Sequence, residues 1–304
     1  MKIVYAGSPQ YAVAPLQALI EGGYNVTAVI TQPDKPVGRK GVLTPTPVKT
    51  IAQEKGIPVI DYPRLRDHAD EVKSLGADLM ITCAYGQILS QEILSAYPMG
   101  VYNLHASLLP KFRGASPIQS AILSGEEYTG VTVMKTELSL DSGGILFAKK
   151  IAVGGMTCGE LSEKLSELSA QAAVEAVEIL KGGEPELTPQ DESKATFCKK
   201  ISKAEGRVDF TKTAKEVANL INAFSPSPAA FAHLSSTPVN LLKATVCEGQ
   251  GEAGTVLSAD KKGVAVACAS GAVNVTRLQF AGGKPLTAAD AVNGRKIKAG
   301  DRFD

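Results

Sequence analysis

The chain has 304 residues, of which 44% are hydrophobic and 21% are charged, with 29 glycines, 17 prolines and no tryptophan. An apolar share this close to the globular average argues against a disordered, collagen-like or coiled-coil chain. Its 32 basic and 31 acidic side chains give a formal net charge of +1, without the basic excess that phosphate binding usually requires. At about 150 residues per domain, the length predicts one large domain or two ordinary ones.

The five cysteines are scattered along the chain and form no C-x-x-C pair. This usage is typical of reduced thiols in the cytoplasm rather than of a disulfide framework. No apolar run reaches the roughly 18 residues that a membrane span needs, and the first residues show no signal-peptide pattern. We therefore expect a cytoplasmic protein that does not associate with membranes.

Short apolar runs alternate with helical stretches over the first half of the chain. Strands are predicted at residues 2–6, 25–31, 57–60, 78–84 and 101–104, and helices at residues 11–21, 47–55, 67–74 and 91–96. Continuous apolar runs are typical of parallel strands that are covered on both faces. The alternation predicts an α/β fold with a doubly wound, Rossmann-like sheet, whose ligands bind beyond the carboxyl ends of the strands.

The second half of the chain changes in pattern. Two strands at 130–137 and 145–151 precede a long helix at 158–180, and a polar stretch from about residue 184 to 207 has the composition of a linker. After a helix at 214–224, closely spaced short strands predict a small barrel or sandwich. We therefore divide the chain into an N-terminal catalytic domain (1–189), a linker (190–207) and a C-terminal OB-like β-barrel domain (208–304).

Asn103 and His105 form the strongest candidate site. Residues two apart on an extended strand project from the same face, so both side chains should point the same way. An amide beside an imidazole can donate hydrogen bonds to a developing oxyanion. The position at a strand end favours this role over a core histidine that is merely satisfied by the backbone.

Asp141 precedes the pair Gly143-Gly144, where an aspartate is often structural because it caps nearby amides. A carboxylate close to His105 would instead favour the charged imidazole and relay a proton through water. The residues alone leave both interpretations open.

A basic loop at residues 33–49 follows the second strand and holds four basic residues against one acid. A long loop on an α/β scaffold is more often a binding element than a passive connection, although a solvated loop is the alternative.

Gly7 after the first strand lacks the rest of a G-x-G-x-x-G fingerprint, which favours a tight turn and argues against a nicotinamide enzyme. Neither metal-ligand spacing nor a G-x-S-x-G elbow is present, so we predict no metal site and no covalent nucleophile.

Six motifs of the chain resemble those of the methionyl-tRNA formyltransferase family, and they extend from its start to residue 143. They are KIVYAGSP at 2–9, QPDKP at 32–36 with Gly38-Arg39, NLHASLLP at 103–110, RGASPIQ at 113–119, TGVT at 129–132 and LDSG at 140–143. One departure is Ser227 between Pro226 and Pro228, where many members carry an aromatic residue.

The resemblance implies transfer of the formyl group of 10-formyltetrahydrofolate to the α-amine of methionine on initiator tRNA. It implies a monomer without a metal, in which three residues are catalytic, four contact folate and two contact tRNA. The resemblance makes Asn103, His105 and Asp141 the catalytic residues. It assigns folate contacts to Ser107, Leu108, Leu109 and Pro110, and tRNA contacts to Arg39 and Lys40.

Formyltransferases that act on other acceptors share the same catalytic signature. Glycinamide ribonucleotide formyltransferase lacks a C-terminal barrel, whereas amino-sugar nucleotide formyltransferases and the hydrolase domain of formyltetrahydrofolate dehydrogenase carry a comparable second domain. The basic loop and the C-terminal domain favour tRNA. A non-catalytic tRNA-binding protein on the same scaffold is the remaining alternative, and it predicts tRNA binding without folate binding.

The small net charge of the whole chain conceals an uneven distribution of charge along it. Residues 1–204 carry 20 basic and 22 acidic side chains, a net of −2, whereas residues 205–304 carry 12 and 9, a net of +3. Near-neutrality is therefore a cancellation, and we expect any tRNA contact to be local.

Overall fold

The computed structural model describes residues 1–38 and 40–304. The helices among these residues are α1 (Val13–Glu21), α2 (Pro47–Glu54), α3 (Ala69–Ser74), α4 (Gln91–Leu94), α5 (Pro117–Leu123), α6 (Cys158–Lys181), α7 (Ala214–Phe224) and α8 (Ala288–Asn293). The strands are β1 (Ile3–Gly7), β2 (Val26–Ile30), β3 (Lys35–Val37), β4 (Val42–Thr44), β5 (Val59–Ile60), β6 (Leu79–Cys83), β7 (Val101–His105), β8 (Arg113–Gly114), β9 (Tyr128–Lys135), β10 (Ile145–Ala152), β11 (Phe197–Cys198), β12 (Ala230–Leu234), β13 (Thr237–Cys247), β14 (Val256–Asp260), β15 (Gly263–Ala267), β16 (Ala272–Phe280) and β17 (Leu286–Thr287).

The described residues form two compact units. The N-terminal unit comprises residues 1–114, 129–151 and 162–198, and the C-terminal unit comprises residues 115–128, 152–161 and 199–304. The domain boundaries at 189 and 208, with a linker between them, stay predictions.

A sheet in the order β10-β9-β7-β6-β1-β2-β5 forms the centre of the N-terminal unit. The neighbouring strands from β7 to β5 are parallel, and β9 runs antiparallel to β7. Every residue of β1 and β6 is buried, as the continuous apolar runs predict. The predicted parallel α/β sheet is confirmed.

The strand order reverses at β1. From β1 the chain builds outward through β2 to β5, then returns to add β6 and β7 on the other side. Ligands of open α/β sheets bind at such a switch point, beyond the carboxyl ends of the strands. Gly7 ends β1 there. A Cβ at this position would lie only 2.9 Å from the carbonyl oxygen of Cys83, so close packing against β6 accounts for the glycine.

The C-terminal unit contains antiparallel strands in the order β12-β13-β16-β15-β14, with β17 against β16. The buried side chain of Asn222 on α7 fixes this helix to the sheet, because it donates to the carbonyl of Ala244 at 2.9 Å and accepts from the same residue's amide at 3.1 Å. The predicted C-terminal domain of antiparallel strands is confirmed. The elements that the sequence did not predict are the helices α5 and α8 and the strands β3, β4, β8, β11, β12 and β17.

Among the helices in the described residues, none combines the length and the apolarity needed to cross a membrane. The longest, α6, has 24 residues and several charged side chains.

Candidate active site

Strand β7 carries Asn103 and His105, and its neighbour β6 sets the orientation of the asparagine. Thr82 lies opposite Asn103 in the parallel register, and its hydroxyl donates to Asn103 Oδ1 at 2.9 Å. In this structure the amide oxygen of Asn103 faces β6, and the Thr82 hydroxyl also lies 3.4 Å from the carbonyl oxygen of Tyr102. The Nδ2 group of Asn103 is therefore the end that can donate to a ligand.

Thr82 was not among the predicted site residues. The signal was available, since Thr82 is the one polar residue in the buried strand Leu79–Cys83 and stands next to the strand end. What was missing was the register between β6 and β7, which places it opposite Asn103.

His105 is buried, and its two ring nitrogens have different surroundings. Nε2 lies 2.9 Å from the carbonyl oxygen of Phe112, and because a carbonyl can only accept, Nε2 carries a proton. Nδ1 lies 3.7 Å from Asp141 Oδ2, which is too long for a direct hydrogen bond but close enough for a charge interaction. Nδ1 is therefore the nitrogen available for chemistry.

Asp141 lies in the turn between β9 and β10, with its side chain 14% exposed. Its Oδ2 accepts a hydrogen bond from the backbone amide of Gly114 at 2.8 Å, and its φ of 48° lies in the left-handed region. The structure thus brings Asp141 to His105, a pairing that the residues alone left open. The carboxylate both caps an amide and faces the imidazole, so the geometry is compatible with either interpretation, and a catalytic role for Asp141 stays a prediction.

Residues 107–110 follow β7 and are fixed by Thr132 on β9. The Thr132 hydroxyl donates to the carbonyl of Ser107 at 2.7 Å and accepts from the amide of Leu109 at 3.1 Å. The carbonyls of Leu108 and Pro110 accept from the amides of Lys111 and Thr196. The segment is therefore rigid, and the carbonyls of Ser107, Leu108 and Pro110 each keep a second lone pair for a ligand. Folate contact by Ser107, Leu108, Leu109 and Pro110 stays a prediction.

Residues 188–198, which we call the bridging segment, lie against this site although their composition is that of a linker. Thr188 pairs with Ile145 at the start of β10, and Thr196 Oγ1 accepts from the amide of Phe112 at 2.8 Å. Cys198 donates its thiol to the Phe112 carbonyl, the group that holds His105. The bridging segment therefore supports the loop that orients the imidazole.

The basic loop forms an exposed hairpin of β3 and β4. Lys40 is exposed at its turn, whereas Arg39 lies outside the described residues. Lys49, at the base of the loop, forms ion pairs with Asp34 at 2.7 Å and Asp61 at 2.8 Å. Hydrogen bonds to these carboxylates raise the pKa of Lys49 above its ordinary value. Lys49 is therefore an internal anchor of the hairpin rather than a free charge.

In the part of the chain that the structure describes, no group of three or more His, Cys, Asp or Glu side chains is arranged to hold a metal ion.

Comparisons with known proteins cover almost the entire chain. The family model of the formyl transferases matches residues 1–177, and that of the formyl transferase C-terminal domain matches residues 200–296. The methionyl-tRNA formyltransferase of Stutzerimonas stutzeri is 45% identical over 301 residues, covering 97% of this chain and 95% of the relative. That of Chromobacterium violaceum is 42% identical over 307 residues, covering 100% and 99%.

Solved structures share the fold at low identity. An N-formyltransferase from Helicobacter canadensis, in complex with folinic acid and dTDP-3-aminofucose, matches with a TM-score of 0.71 and 18% identity over 92% of this chain and 99% of its own. HypX from Aquifex aeolicus, in complex with tetrahydrofolic acid, matches with a TM-score of 0.68 and 20% identity over 96% of this chain, which spans 47% of the HypX chain. Together with the relatives above 40% identity, the site and the fold lead to one conclusion: the chain belongs to the methionyl-tRNA formyltransferase family.

Proposed function

We propose that this chain transfers the formyl group of 10-formyltetrahydrofolate to the α-amine of methionine carried by initiator tRNA. The observation that carries the proposal is the meeting of His105 and Asp141 at the carboxyl end of β7, two residues from Asn103. The proposal is also supported by relatives that match nearly the full length of the chain and are named methionyl-tRNA formyltransferases.

In the first step, the neutral α-amine attacks the formyl carbon and a carbon–nitrogen bond forms. The formyl oxygen becomes an oxyanion, and donors placed beforehand stabilise the charge as it develops. Asn103 donates through Nδ2, because Thr82 occupies its oxygen. His105 donates through Nδ1–H in its charged form, because Nε2 is committed to Phe112.

Asp141 has two tasks in this scheme. Its carboxylate lies 3.7 Å from Nδ1 and interacts electrostatically with the imidazole, and through a water molecule it accepts the proton that the attacking amine must lose. The oxyanion then collapses, the bond between the formyl carbon and the folate nitrogen breaks, and that nitrogen takes up the proton. The products are formylmethionyl-tRNA and tetrahydrofolate.

Binding of the donor is assigned to residues 107–110 and to the loop after Cys83. The fixed backbone carbonyls of the first segment suit a pterin edge, which needs acceptors in a partly apolar slot. The loop after Cys83 is also fixed, since the carbonyl of Tyr85 accepts from Gln32 Nε2 at 3.2 Å. Arg39 and Lys40 of the hairpin, with the basic C-terminal unit, are assigned to tRNA. We expect the protein to act as a monomer and without a metal.

The decisive experiment supplies 10-formyltetrahydrofolate with three acceptors side by side: charged initiator tRNA, an amino-sugar nucleotide and glycinamide ribonucleotide. We expect product with the tRNA. Product from only one of the two small acceptors would contradict the proposal. A folate titration addresses the non-catalytic alternative, which requires tRNA binding without folate binding.

A further inference from the structure

Gln190 of the bridging segment connects the turn of Asp141 to a buried arginine. Its Nε2 donates to the backbone carbonyls of Asp141 at 2.9 Å and Gly143 at 2.8 Å. Its Oε1 accepts from Arg113 Nε at 3.1 Å and Nη2 at 2.8 Å. Because carbonyls only accept and a guanidinium only donates, these partners fix the orientation of the amide and use both of its hydrogens.

Arg113 is in turn held in place. Its side chain is 3% exposed, and its guanidinium forms a two-bond contact with the carboxylate of Glu192 at 2.9 and 2.7 Å. This hydrogen-bonded contact lowers the pKa of Glu192 below its ordinary value. The backbone amide of Arg113 also donates to the carbonyl of Thr196 at 2.8 Å. Gln190 is therefore anchored to a group that has little freedom to move.

The turn of Asp141 needs such support. A non-glycine residue at a φ of 48° is rarely stable unless its surroundings impose the conformation. The Gly114 amide fixes the carboxylate end of Asp141, and Gln190 fixes its backbone. A misplacement of about 1 Å in a reacting group can cost a factor of about 100 in rate. Both contacts are therefore expected to affect the rate, because together they set the distance from Asp141 to His105.

We propose that Gln190 is a positioning residue that holds the carboxylate of Asp141 at His105. The proposal rests on the proposed function, because Gln190 bonds to Arg113 and to the turn of Asp141 and can affect the reaction only through Asp141. It assigns a positioning role to a stretch outside the residues matched by the two family models, of which the first ends at 177 and the second begins at 200.

Two variants separate positioning from general support of the fold. Gln190→Ala removes the hydrogen bonds to Arg113 and to the two carbonyls, whereas Gln190→Glu keeps an acceptor for Arg113 but turns an oxygen toward those carbonyls. We expect both to lower kcat about 10- to 100-fold with KM for either substrate unchanged, with rates compared well below the melting temperature of each variant so that a loss of stability is not read as a loss of kcat. Gln91→Glu is the matched control, because Gln91 is exposed on α4 and donates to Ser95.

A double-mutant cycle tests the route of the effect. If Gln190 acts through Asp141, Gln190→Ala should cause no further loss of kcat in an Asp141→Asn background. The same loss in both backgrounds would overturn the proposal, as would normal kcat in Gln190→Glu.

Amide hydrogen exchange of Gly114 provides a measurement without substrate. Its N–H donates to Asp141, so displacement of the carboxylate should speed its exchange in both Gln190 variants and leave Gln91→Glu unchanged. Unaltered exchange of Gly114 would overturn the positioning role. Absence of formyl transfer in the wild-type protein would instead contradict the proposed function, while Gly114 exchange still decides the role of Gln190.

Discussion

The candidate active site and the basic hairpin at residues 33–49 differ in how their polar groups are held. His105 and Asp141 are nearly enclosed, and each contacts a backbone group that orients it. All residues of β3 and β4 are exposed, and the hairpin is tied at its base by the ion pairs of Lys49.

This difference fits the roles proposed for the two regions. Stabilising a developing charge requires donors that are in place before the reaction begins, so their surroundings must be rigid. A phosphate backbone is attracted by any reachable positive charge, and exact geometry matters less. Substitutions should therefore change the reaction rate in one region and the affinity for tRNA in the other.

The largest effect is expected at the oxyanion donors. Asn103→Ala or His105→Ala should lower kcat about 100- to 1000-fold, because each removes one preorganised donor. Single-turnover formyl transfer with saturating substrates measures the change, and folate binding with circular dichroism checks that the fold is intact. Near-normal turnover in either variant would refute the assignment.

Asp141→Asn should lower kcat about 100-fold, since general acid–base groups contribute at least this much. The asparagine keeps an oxygen for the amide of Gly114, so the turn should stay in place while the negative charge is lost. Single-turnover rates and the melting temperature give the two readouts. A rate that falls only in proportion to the loss of stability would point to a structural role.

Arg113→Met tests how firmly the site is supported. The variant keeps most of the apolar stem but removes bonds from the guanidinium to Gln190 and Glu192, and we expect it to lower the free energy of unfolding by about 2 kcal/mol. Arg66→Met is the control, because Arg66 is 59% exposed in its contact with Asp67 and such pairs contribute little. Urea unfolding distinguishes them, and equal stabilities would contradict the comparison.

In the hairpin, Lys40→Ala should weaken tRNA binding and lower the slope of log affinity against log salt by about 1. Folate affinity, formyl transfer at saturating tRNA and melting temperature should not change, because Lys40 is exposed. An unchanged salt slope would count against a phosphate contact. Arg39→Ala is predicted to behave in the same way.

The smallest effect concerns Lys49. Its raised pKa means that its ion pairs contribute fully to stability below the pKa of an unfolded lysine, and that this contribution is lost as pH rises through the folded value. We therefore expect the stability difference between the wild type and Lys49→Met to be constant at neutral pH and to shrink only in alkaline solution. A difference that already shrinks between pH 7 and 8 would contradict the pairing.

Sequence was most informative where a pattern is local. The period-two spacing of Asn103 and His105 predicted a shared face, and continuous apolar runs predicted the parallel strands. The distance from His105 to Asp141 could not be predicted from the sequence, because it depends on the turn between β9 and β10 and on the amide of Gly114.

Charge and composition misled in two places. Lys49 counts as a base of the loop, but Asp61, outside the loop, pairs with it. Two polar residues of the bridging segment, Gln190 and Glu192, bind Arg113, and Gln190 also binds the turn of Asp141; Arg113 and Asp141 lie 77 and 49 residues away from Gln190. Polar composition alone does not distinguish a solvated connection from one in which particular side chains support a distant site.

The bridging segment also limits how the chain can be divided. A fragment that ends at residue 189 would keep every residue proposed to meet the formyl group, yet it would lose Gln190, Thr196 and Cys198, which contact Asp141 and Phe112. Exchange of C-terminal domains between relatives should therefore join the chains after Cys198 rather than within the polar stretch. By this criterion the catalytic module extends about twenty residues beyond the end of its family model at residue 177, and its last residues are supports rather than reactants.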